Sequence, residues 1–177
     1  MFYKSVFSAI FLGSFSFASS NFTFDSLETF KANFIQTIKS TENKNIEYKG
    51  EVFIKNSGNI LWKYKTPIVK NVYVNSNYVI IDEPQLEQAI YTSLQDDINL
   101  IEILKQAKKI NENEYLANIE GVDYKVYIKN SKIEKITYND KLENFIIINF
   151  TEVVNNSMID DNIFKFLAPD YYDIIRK

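Results

Sequence analysis

The stretch that decides the fold runs from Gly50 to Tyr91 and reads GEVFIKNSGNILWKYKTPIVKNVYVNSNYVIIDEPQLEQAIY. It contains short segments in which apolar and polar residues alternate, separated by residues that are typical of turns. This alternation predicts β-strands, because successive side chains of a strand point to opposite faces. Loops this short join antiparallel neighbours. The stretch therefore predicts a meandering antiparallel sheet.

The first two predicted strands, 51–55 and 60–65, flank a turn at 56–59 and show which residues share a face. Val52 and Ile54 share the apolar face of the first strand, and Ile60, Trp62 and Tyr64 share that of the second. The opposite faces hold Glu51, Phe53, Lys55, Leu61, Lys63 and Lys65. Pro67 ends the second strand, since proline has no N–H for the strand ladder.

A hairpin and a helix follow. Segments 70–74 and 78–82 flank Asn75-Ser76-Asn77, which predicts a hairpin with a three-residue loop. Residues 86–94 alternate more weakly and are compatible with a further strand. Asp96 and Asp97 favour the start of a helix over 97–107, because acidic side chains interact well with the N-terminal end of a helix. One stripe of this helix holds Leu100, Ile101, Leu104 and Ala107.

The flanking parts of the chain extend the sheet. Residues 25–40 fit both a helical spacing and a strand alternation, and we predict a short helix over 26–31 that runs into a strand over 33–40. Further strands are predicted over 115–120, 124–129, 133–138 and 143–151, separated by turn residues. Short strands at this regular spacing favour a barrel or a strongly curved sheet.

The composition excludes several classes of site. The 177 residues include no histidine and no cysteine, which removes imidazole and thiolate metal ligands and the usual nucleophile–base pairs. A serine–lysine pair stays open, although no spacing favours one, and we predict no catalytic residue, no metal and no cofactor. The acidic pairs at 96–97 and 160–161 are better explained by helix capping than by glycosidase chemistry. The net charge of −3 and the lack of a basic block with interleaved aromatics argue against nucleic acid as a partner.

The first 20 residues have the pattern of a secretory signal peptide. Lys4 supplies a positive charge, an apolar run covers 6–17, and small residues precede candidate cleavage sites near Ala18 to Ser20. The run is too short and too rich in serine to span a membrane. A buried N-terminal strand or helix is the alternative interpretation. We predict an exported, periplasmic chain whose single mature domain covers residues 21–177.

Five short motifs follow one another between residues 27 and 175. They are FKANFIQ at 30–36, GEVFIK at 50–55, Trp62 with Pro67 five residues later, DEPQLEQ at 82–88, and FKFLAP at 164–169 with Asp173. In this order and spacing they resemble the LolA family of periplasmic carriers of outer-membrane lipoproteins. The resemblance implies a mainly β (α+β) fold, an unclosed antiparallel β-barrel in which helices form a lid over the concave face.

The resemblance also implies a function and its partners. A chaperone of this kind accepts a triacylated lipoprotein from an inner-membrane ABC-type releasing complex. It then shields the acyl chains across the aqueous periplasm and passes the lipoprotein to an outer-membrane acceptor. It is implied to act as a monomer, without a cofactor and without enzymatic activity.

One position departs from the family pattern. An Arg-Pro pair commonly stands six residues before the tryptophan, where the arginine bonds the lid and helps to hold the site closed. Asn56 and Ser57 stand at these places here. An asparagine supplies neither a guanidinium fork nor a charge. We therefore predict that the lid latch at Asn56 differs from that of the family.

The predicted acyl-chain site combines the apolar face of the sheet with the helix. Its lining residues are Val52, Ile54, Ile60, Trp62, Tyr64, Val79, Ile81, Leu100, Ile101 and Leu104. Each buried methylene contributes about 0.8 kcal/mol, so even partial shielding of a long chain is strongly favourable. Without the resemblance, an ordinary packed core is the better explanation of these residues, since alternating strands require one.

Several alternatives remain open from the sequence. A single-domain sensor of the same fold would bind lipoproteins and signal, and an exported hydrolase would cleave its substrate, although the missing histidine and cysteine argue against the latter. Glu87 and Gln88 fit either a polar position near the mouth of the site or a solvated strand edge. The lysines at 63–65 and 105–109 face either an anionic partner or solvent.

Overall fold

The structure is a computed structural model that describes residues 24–42, 44–75, 78–93 and 100–177. The predicted signal peptide lies outside these residues, as do Ser76 and Asn77 of the predicted hairpin loop and the predicted start of the helix at Asp96 and Asp97. In the described ranges, no helix is both long and apolar enough to cross a membrane.

Strands make up most of the described chain. They are β1 (Thr29–Lys39), β2 (Asn45–Lys55), β3 (Ile60–Thr66), β4 (Lys70–Val74), β5 (Val79–Glu83), β6 (Gln88–Thr92), β7 (Lys108–Lys109), β8 (Glu114–Ile119), β9 (Val122–Lys129), β10 (Lys132–Asn139), β11 (Phe145–Asn155) and β12 (Asp173–Arg176). The helix α1 covers Leu100–Gln106. Short 3-10 turns lie at Phe24–Ser26, Pro84–Leu86 and Asp161–Phe164.

These strands form one sheet in the order β12-β6-β5-β4-β3-β2-β1-β11-β10-β9-β8-β7. Neighbours are antiparallel, except that β12 runs parallel to β6. β1 pairs with β2 on one side and with β11 on the other, so it joins the two halves of the domain. Because β12 and β7 are edges, the described strands do not close into a barrel. The predicted unclosed, mainly antiparallel sheet is confirmed.

The alternation in β2 and β3 predicts their pairing correctly. Val52 lies opposite Trp62 and Ile54 lies opposite Ile60, so their apolar side chains point to the same face. The turn after β2 is closed by the N–H of Gly58, which donates to the carbonyl oxygen of Lys55. We call the face that carries Trp62 the inner face and the opposite one the outer face.

The C-terminal segment covers part of the outer face. Leu61 shares this face with Lys63 and Lys65 and is nevertheless fully buried. Tyr73, opposite Leu61, packs against Phe166 with 5.5 Å between ring centroids. The turn Asp161–Phe164 contacts β3, and β12 then extends the sheet beyond β6. The end of the chain is therefore fixed across the back of the sheet.

An ion pair between Asp161 and Lys55 fastens this segment to β2. The hydrogen bond from Lys55 and its positive charge hold the pKa of Asp161 below its ordinary value. Such a carboxylate stabilises the fold at pH values above its ordinary pKa. This contribution disappears as the pH falls through the lower pKa of the folded state. Because Asp161 is solvent-exposed, the effect is small.

We expect Asp161→Asn to lower the free energy of unfolding slightly at neutral pH. The further decrease that the original chain shows below about pH 4 should be smaller in the variant. Urea midpoints of the variant and the original chain, measured from neutral to acidic pH, test this. Asp173→Asn, on the exposed edge strand β12, is the control for loss of one negative charge. Identical pH curves for Asp161→Asn and the original chain would show that the ion pair contributes nothing.

Several predicted boundaries are wrong. The predicted helix over 26–31 is instead the 3-10 turn Phe24–Ser26 followed by strand from Thr29. Pairing with β2 and β11 satisfies the backbone of this segment on both sides, and local spacing cannot reveal such distant partners. By contrast, α1 ends at Gln106, within one residue of the predicted end near 107, and β7 then pairs with β8. β5 starts one residue later than predicted, and β11 is shifted to Phe145–Asn155.

Candidate functional site

The inner face is apolar across nearly the whole sheet. Phe30 and Phe34 of β1 pack beside Phe150 of β11, and the ring centroids of Phe30 and Phe150 lie 5.4 Å apart. Buried side chains of β8 to β11 join the same cluster. α1 lies over this face and inserts Leu100, Ile101, Ile103 and Leu104. The described chain thus has one helix as a cover, where several were predicted.

The structure brings the ten predicted lining residues together. Val52, Ile54, Ile60, Trp62, Val79, Leu100, Ile101 and Leu104 are buried in the cluster, and the half-buried Tyr64 and Ile81 pack against it. Trp62 meets Phe34 edge to face, with 5.0 Å between ring centroids. Most of the inner face is therefore filled by the protein's own side chains, as in an ordinary core.

A pocket nevertheless opens beside Leu104, between α1 and the adjoining ends of β1 and β2. It contains about 310 Å³ of empty space, with the solvent at its mouth included. Its lining consists of Phe24, Leu27, Glu28, Thr29, Phe30, Ile54, Asn56, Ile101, Leu104 and Lys105. Of the ten predicted residues, Ile54, Ile101 and Leu104 line this space. The predicted latch position, Asn56, lies in the same lining.

Hydrogen bonds connect three segments at this pocket. The N–H of Asn56 donates to the carbonyl oxygen of Glu28 at 2.9 Å. The N–H of Glu28 in turn donates to Oδ1 of Asn156 at 2.8 Å. The turn after β2, the start of β1 and the end of β11 are thereby held together. Asn56 acts here through its backbone, and Lys105 adds a positive side chain from α1.

More than half of the pocket lining is absent from the predicted site. Leu27 and Phe30 belong to the segment predicted as a helix, and Phe24 precedes it, so their place on the inner face is not predicted. The alternation of Phe30, Ala32 and Phe34, all buried, is the signal that identifies this strand. The apolar residues of β8 to β11 are also absent from the predicted site, although their alternation is as regular as that of β2.

The polar candidates lie elsewhere. Glu87 is exposed in the turn between β5 and β6, at the end of the sheet opposite the pocket. Gln88 donates from Nε2 to Glu83 at 2.5 Å. Glu87 thus has the exposed position of the solvated interpretation, whereas Gln88 is half-buried and paired with both β5 and β12, so it does not lie at an edge of the sheet. Lys63 points to the outer face, whereas Lys105 lines the pocket.

Known proteins with the same pattern are carriers. The family model described as "Outer membrane lipoprotein carrier protein LolA" matches residues 25–118. A Campylobacter jejuni protein named outer-membrane lipoprotein carrier protein is 36% identical over 94% of this chain and 98% of its own length. A Wolinella succinogenes protein of the same name is 35% identical over 87% of this chain and 90% of its own length.

Solved structures support the fold. A LolA superfamily protein from Nitrosomonas europaea has a TM-score of 0.51 at 12% identity, over 80% of this chain and 91% of that chain. An uncharacterized conserved protein from Thermus thermophilus has a TM-score of 0.53 at 8% identity, over 86% of this chain and 93% of that chain. At these identities the likeness concerns the fold alone.

Proposed function

Because the chain belongs to the LolA family of outer membrane lipoprotein carrier proteins, we propose that it carries lipoproteins by shielding their acyl chains from water. The pocket beside Leu104 supports this proposal, since apolar side chains of β1, β2 and α1 surround space that no side chain fills. In this proposal the mature domain covers residues 21–177 and works in the periplasm as a monomer, after removal of the predicted signal peptide. It is a carrier and not an enzyme.

The pocket is too small for a whole triacylated cargo. Its 310 Å³ include open solvent at the mouth, and even that whole volume corresponds to at most about ten methylenes, if each needs roughly the volume of a water molecule. Three acyl chains contain several times that number, so α1 must move away from the sheet when cargo enters. Cargo then takes over the apolar contacts that Leu100, Ile101 and Leu104 make in the closed form.

The helix α1 is suited to act as this movable lid. Its described part, Leu100–Gln106, has seven residues, and a stretch of helix this short has little stability of its own. Its position therefore depends on its buried side chains and on contacts with β8 and with the turn Phe24–Ser26. Cargo and α1 compete for the same apolar surface, so closure of the lid favours release. We propose that the bonded segments around Asn56 form the fixed rim against which the lid closes.

A carrier that works in this way needs one partner that delivers the lipoprotein and another that receives it. We propose that an ABC-type complex of the inner membrane delivers the triacylated lipoprotein and that an acceptor at the outer membrane receives it. A carrier needs both, because burial of long acyl chains is strongly favourable and each transfer requires a competing apolar surface.

We expect the mature protein to release lipoproteins from energised inner-membrane vesicles as a soluble one-to-one complex. Size-exclusion chromatography, followed by mass spectrometry of the intact complex, measures the product. A lipoprotein whose acylated cysteine is replaced by serine is the matched control and should not form the complex. Release no greater than without the protein would contradict the proposal, and recovery of deacylated cargo would point to a hydrolase.

A further inference from the structure

A cluster of polar side chains lies on the inner face, at the end of the sheet opposite the pocket. Gln36, Tyr48, Tyr64 and Lys70 occupy neighbouring positions on β1 to β4, and we call them the Lys70 cluster. Gln36 is opposite Tyr48, and Tyr64 is opposite Lys70. The pocket adjoins the turn between β2 and β3, whereas the Lys70 cluster adjoins the turns β1–β2 and β3–β4.

Aromatic contacts hold the lysine in place. Nζ of Lys70 lies 4.7 Å from the ring centroid of Tyr64 and 5.8 Å from that of Tyr48. The two rings meet edge to face with 5.7 Å between centroids, and the hydroxyl of Tyr64 donates to Oε1 of Gln36 at 3.2 Å. Ring faces attract an ammonium group but offer it no lone pair in the manner of a carboxylate. The N–H donors of Lys70 therefore remain able to bind an anion.

The charge of Lys70 is not neutralised by an ion pair in the described part of the chain. No carboxylate among these residues lies within 4.0 Å of its ammonium group. Glu83, at the end of the neighbouring strand β5, accepts a hydrogen bond from Gln88 instead. Lys49 and Lys65, on β2 and β3, each have a glutamate partner. Lys70 is thus a half-buried positive charge without a counter-ion among the described residues.

The Lys70 cluster continues the apolar inner face. The ring of Tyr64 packs edge to face on Phe34 at 5.1 Å, and Phe34 packs on Trp62 at 5.0 Å. Ile46, which is 48% exposed, adds apolar surface at this end. Once α1 has moved, an acyl chain that lies along Trp62 and Phe34 has its head near Lys70.

We propose that the Lys70 cluster binds the anionic headgroup of a free acyl lipid whose chain lies on the inner face. A phosphate or carboxylate oxygen accepts charge-assisted hydrogen bonds from Lys70, and an apolar track for the chain begins directly beside it. This inference rests on the proposed function, because lipid and lipoprotein use the same apolar face. It adds a second class of ligand, single anionic lipids.

The fluorescence of Trp62 reports binding, because it is the single tryptophan of the chain and lies on the inner face. The mature protein is titrated with monomeric lysophosphatidylglycerol and palmitate, which are anionic. Lysophosphatidylcholine and monopalmitoylglycerol are the matched lipids without net charge. We expect the anionic lipids to bind about tenfold more tightly, a preference that decreases with added salt. A preference limited to lysophosphatidylglycerol identifies phosphate as the headgroup, and one limited to palmitate identifies carboxylate.

Variants of the lysine complete the test. Lys70→Gln should abolish the preference for anionic lipids, and Lys70→Arg should retain it. Lys63→Gln is the matched control, because Lys63 stands over the ring of Phe53 at 5.6 Å on the outer face of the adjacent strand. Equal binding of charged and uncharged lipids by the original chain, or a preference that survives Lys70→Gln, would overturn this inference alone. Failure to bind any of the four lipids would overturn the proposed function as well.

Discussion

Replacing Leu104 with glutamate is expected to abolish the uptake of lipoproteins while leaving export of the protein intact. Leu104 is buried, lines the pocket and anchors α1 to the inner face. A carboxylate at this position must either lose its hydration or hold the helix away from the sheet. Both outcomes remove apolar surface that the cargo needs. We expect the yield of soluble complex in the vesicle assay to fall by about 100-fold, as for a loss of roughly 3 kcal/mol.

Two other variants of α1 separate the pocket from the core. Leu104→Ala should lower the free energy of unfolding by about 2–5 kcal/mol, because it removes buried contacts. It also enlarges the pocket, so the release of lipoproteins should persist. Gln106→Glu introduces the same carboxylate at an exposed position of the same helix and should leave the release of lipoproteins unchanged, with only a small loss of stability, because Nε2 of Gln106 donates to Oε1 of Glu102 at 3.0 Å. Normal release by Leu104→Glu would show that cargo does not use this surface.

Gly50→Ala is expected to destabilise the fold strongly. A Cβ atom at Gly50 would lie 2.0 Å from the carbonyl oxygen of Lys63 and 2.9 Å from Cε1 of Phe34. Lys49 pairs with Thr66 and Gly50 pairs with Tyr64, so β3 has an extra residue, Lys65, at this bulge. The backbone of β3 must shift to admit a methyl group. We expect the free energy of unfolding to fall by about 3 kcal/mol or more, measured by urea denaturation.

Gly121→Ala is the matched control for this substitution. No atom lies within 4 Å of the Cβ that it would add, but the φ angle of Gly121 is +82°. A left-handed backbone conformation costs an alanine about 1–2 kcal/mol. The control should therefore lose less stability than Gly50→Ala. Equal losses in both variants would mean that the close approach of β2 and β3 contributes nothing.

The alternation of apolar and polar residues is sufficient to predict the sheet where strands that follow one another in the sequence also pair with one another. The meander from β2 to β6 is of this kind, and so the paired faces of β2 and β3 are predicted correctly, although β2 begins earlier than predicted and the turn Pro84–Leu86 is not predicted. Residues 26–31 are different, because local spacing allows a helix, whereas pairing with both β2 and the distant strand β11 makes the segment from Thr29 a strand. The burial of Leu61 on the outer face is likewise absent from the local pattern, since the turn Asp161–Phe164, which contacts β3, lies about a hundred residues away.

The apolar character of the site follows from the sequence, but its open space does not. Val52, Ile54, Ile60 and Trp62 are assigned to the correct face by their period of two. A pocket depends on where the helix rests and on which side chains fail to meet. Glu28, Asn56 and Lys105 come together only in the folded chain, and no spacing between them indicates this. The Lys70 cluster likewise combines residues from separate strands.

The position of β1 also affects how the chain reaches its final form. β2 follows β1 almost at once, whereas β11 is made only after most of the domain. During synthesis from the N-terminus, β1 can therefore pair with β2 early, whereas its other edge stays unpaired until β11 has been made. Contacts between such distant segments form slowly, since the intervening chain must first lose much of its freedom. Biogenesis, rather than the finished fold, is the stage at which this architecture is most exposed to mispairing and aggregation.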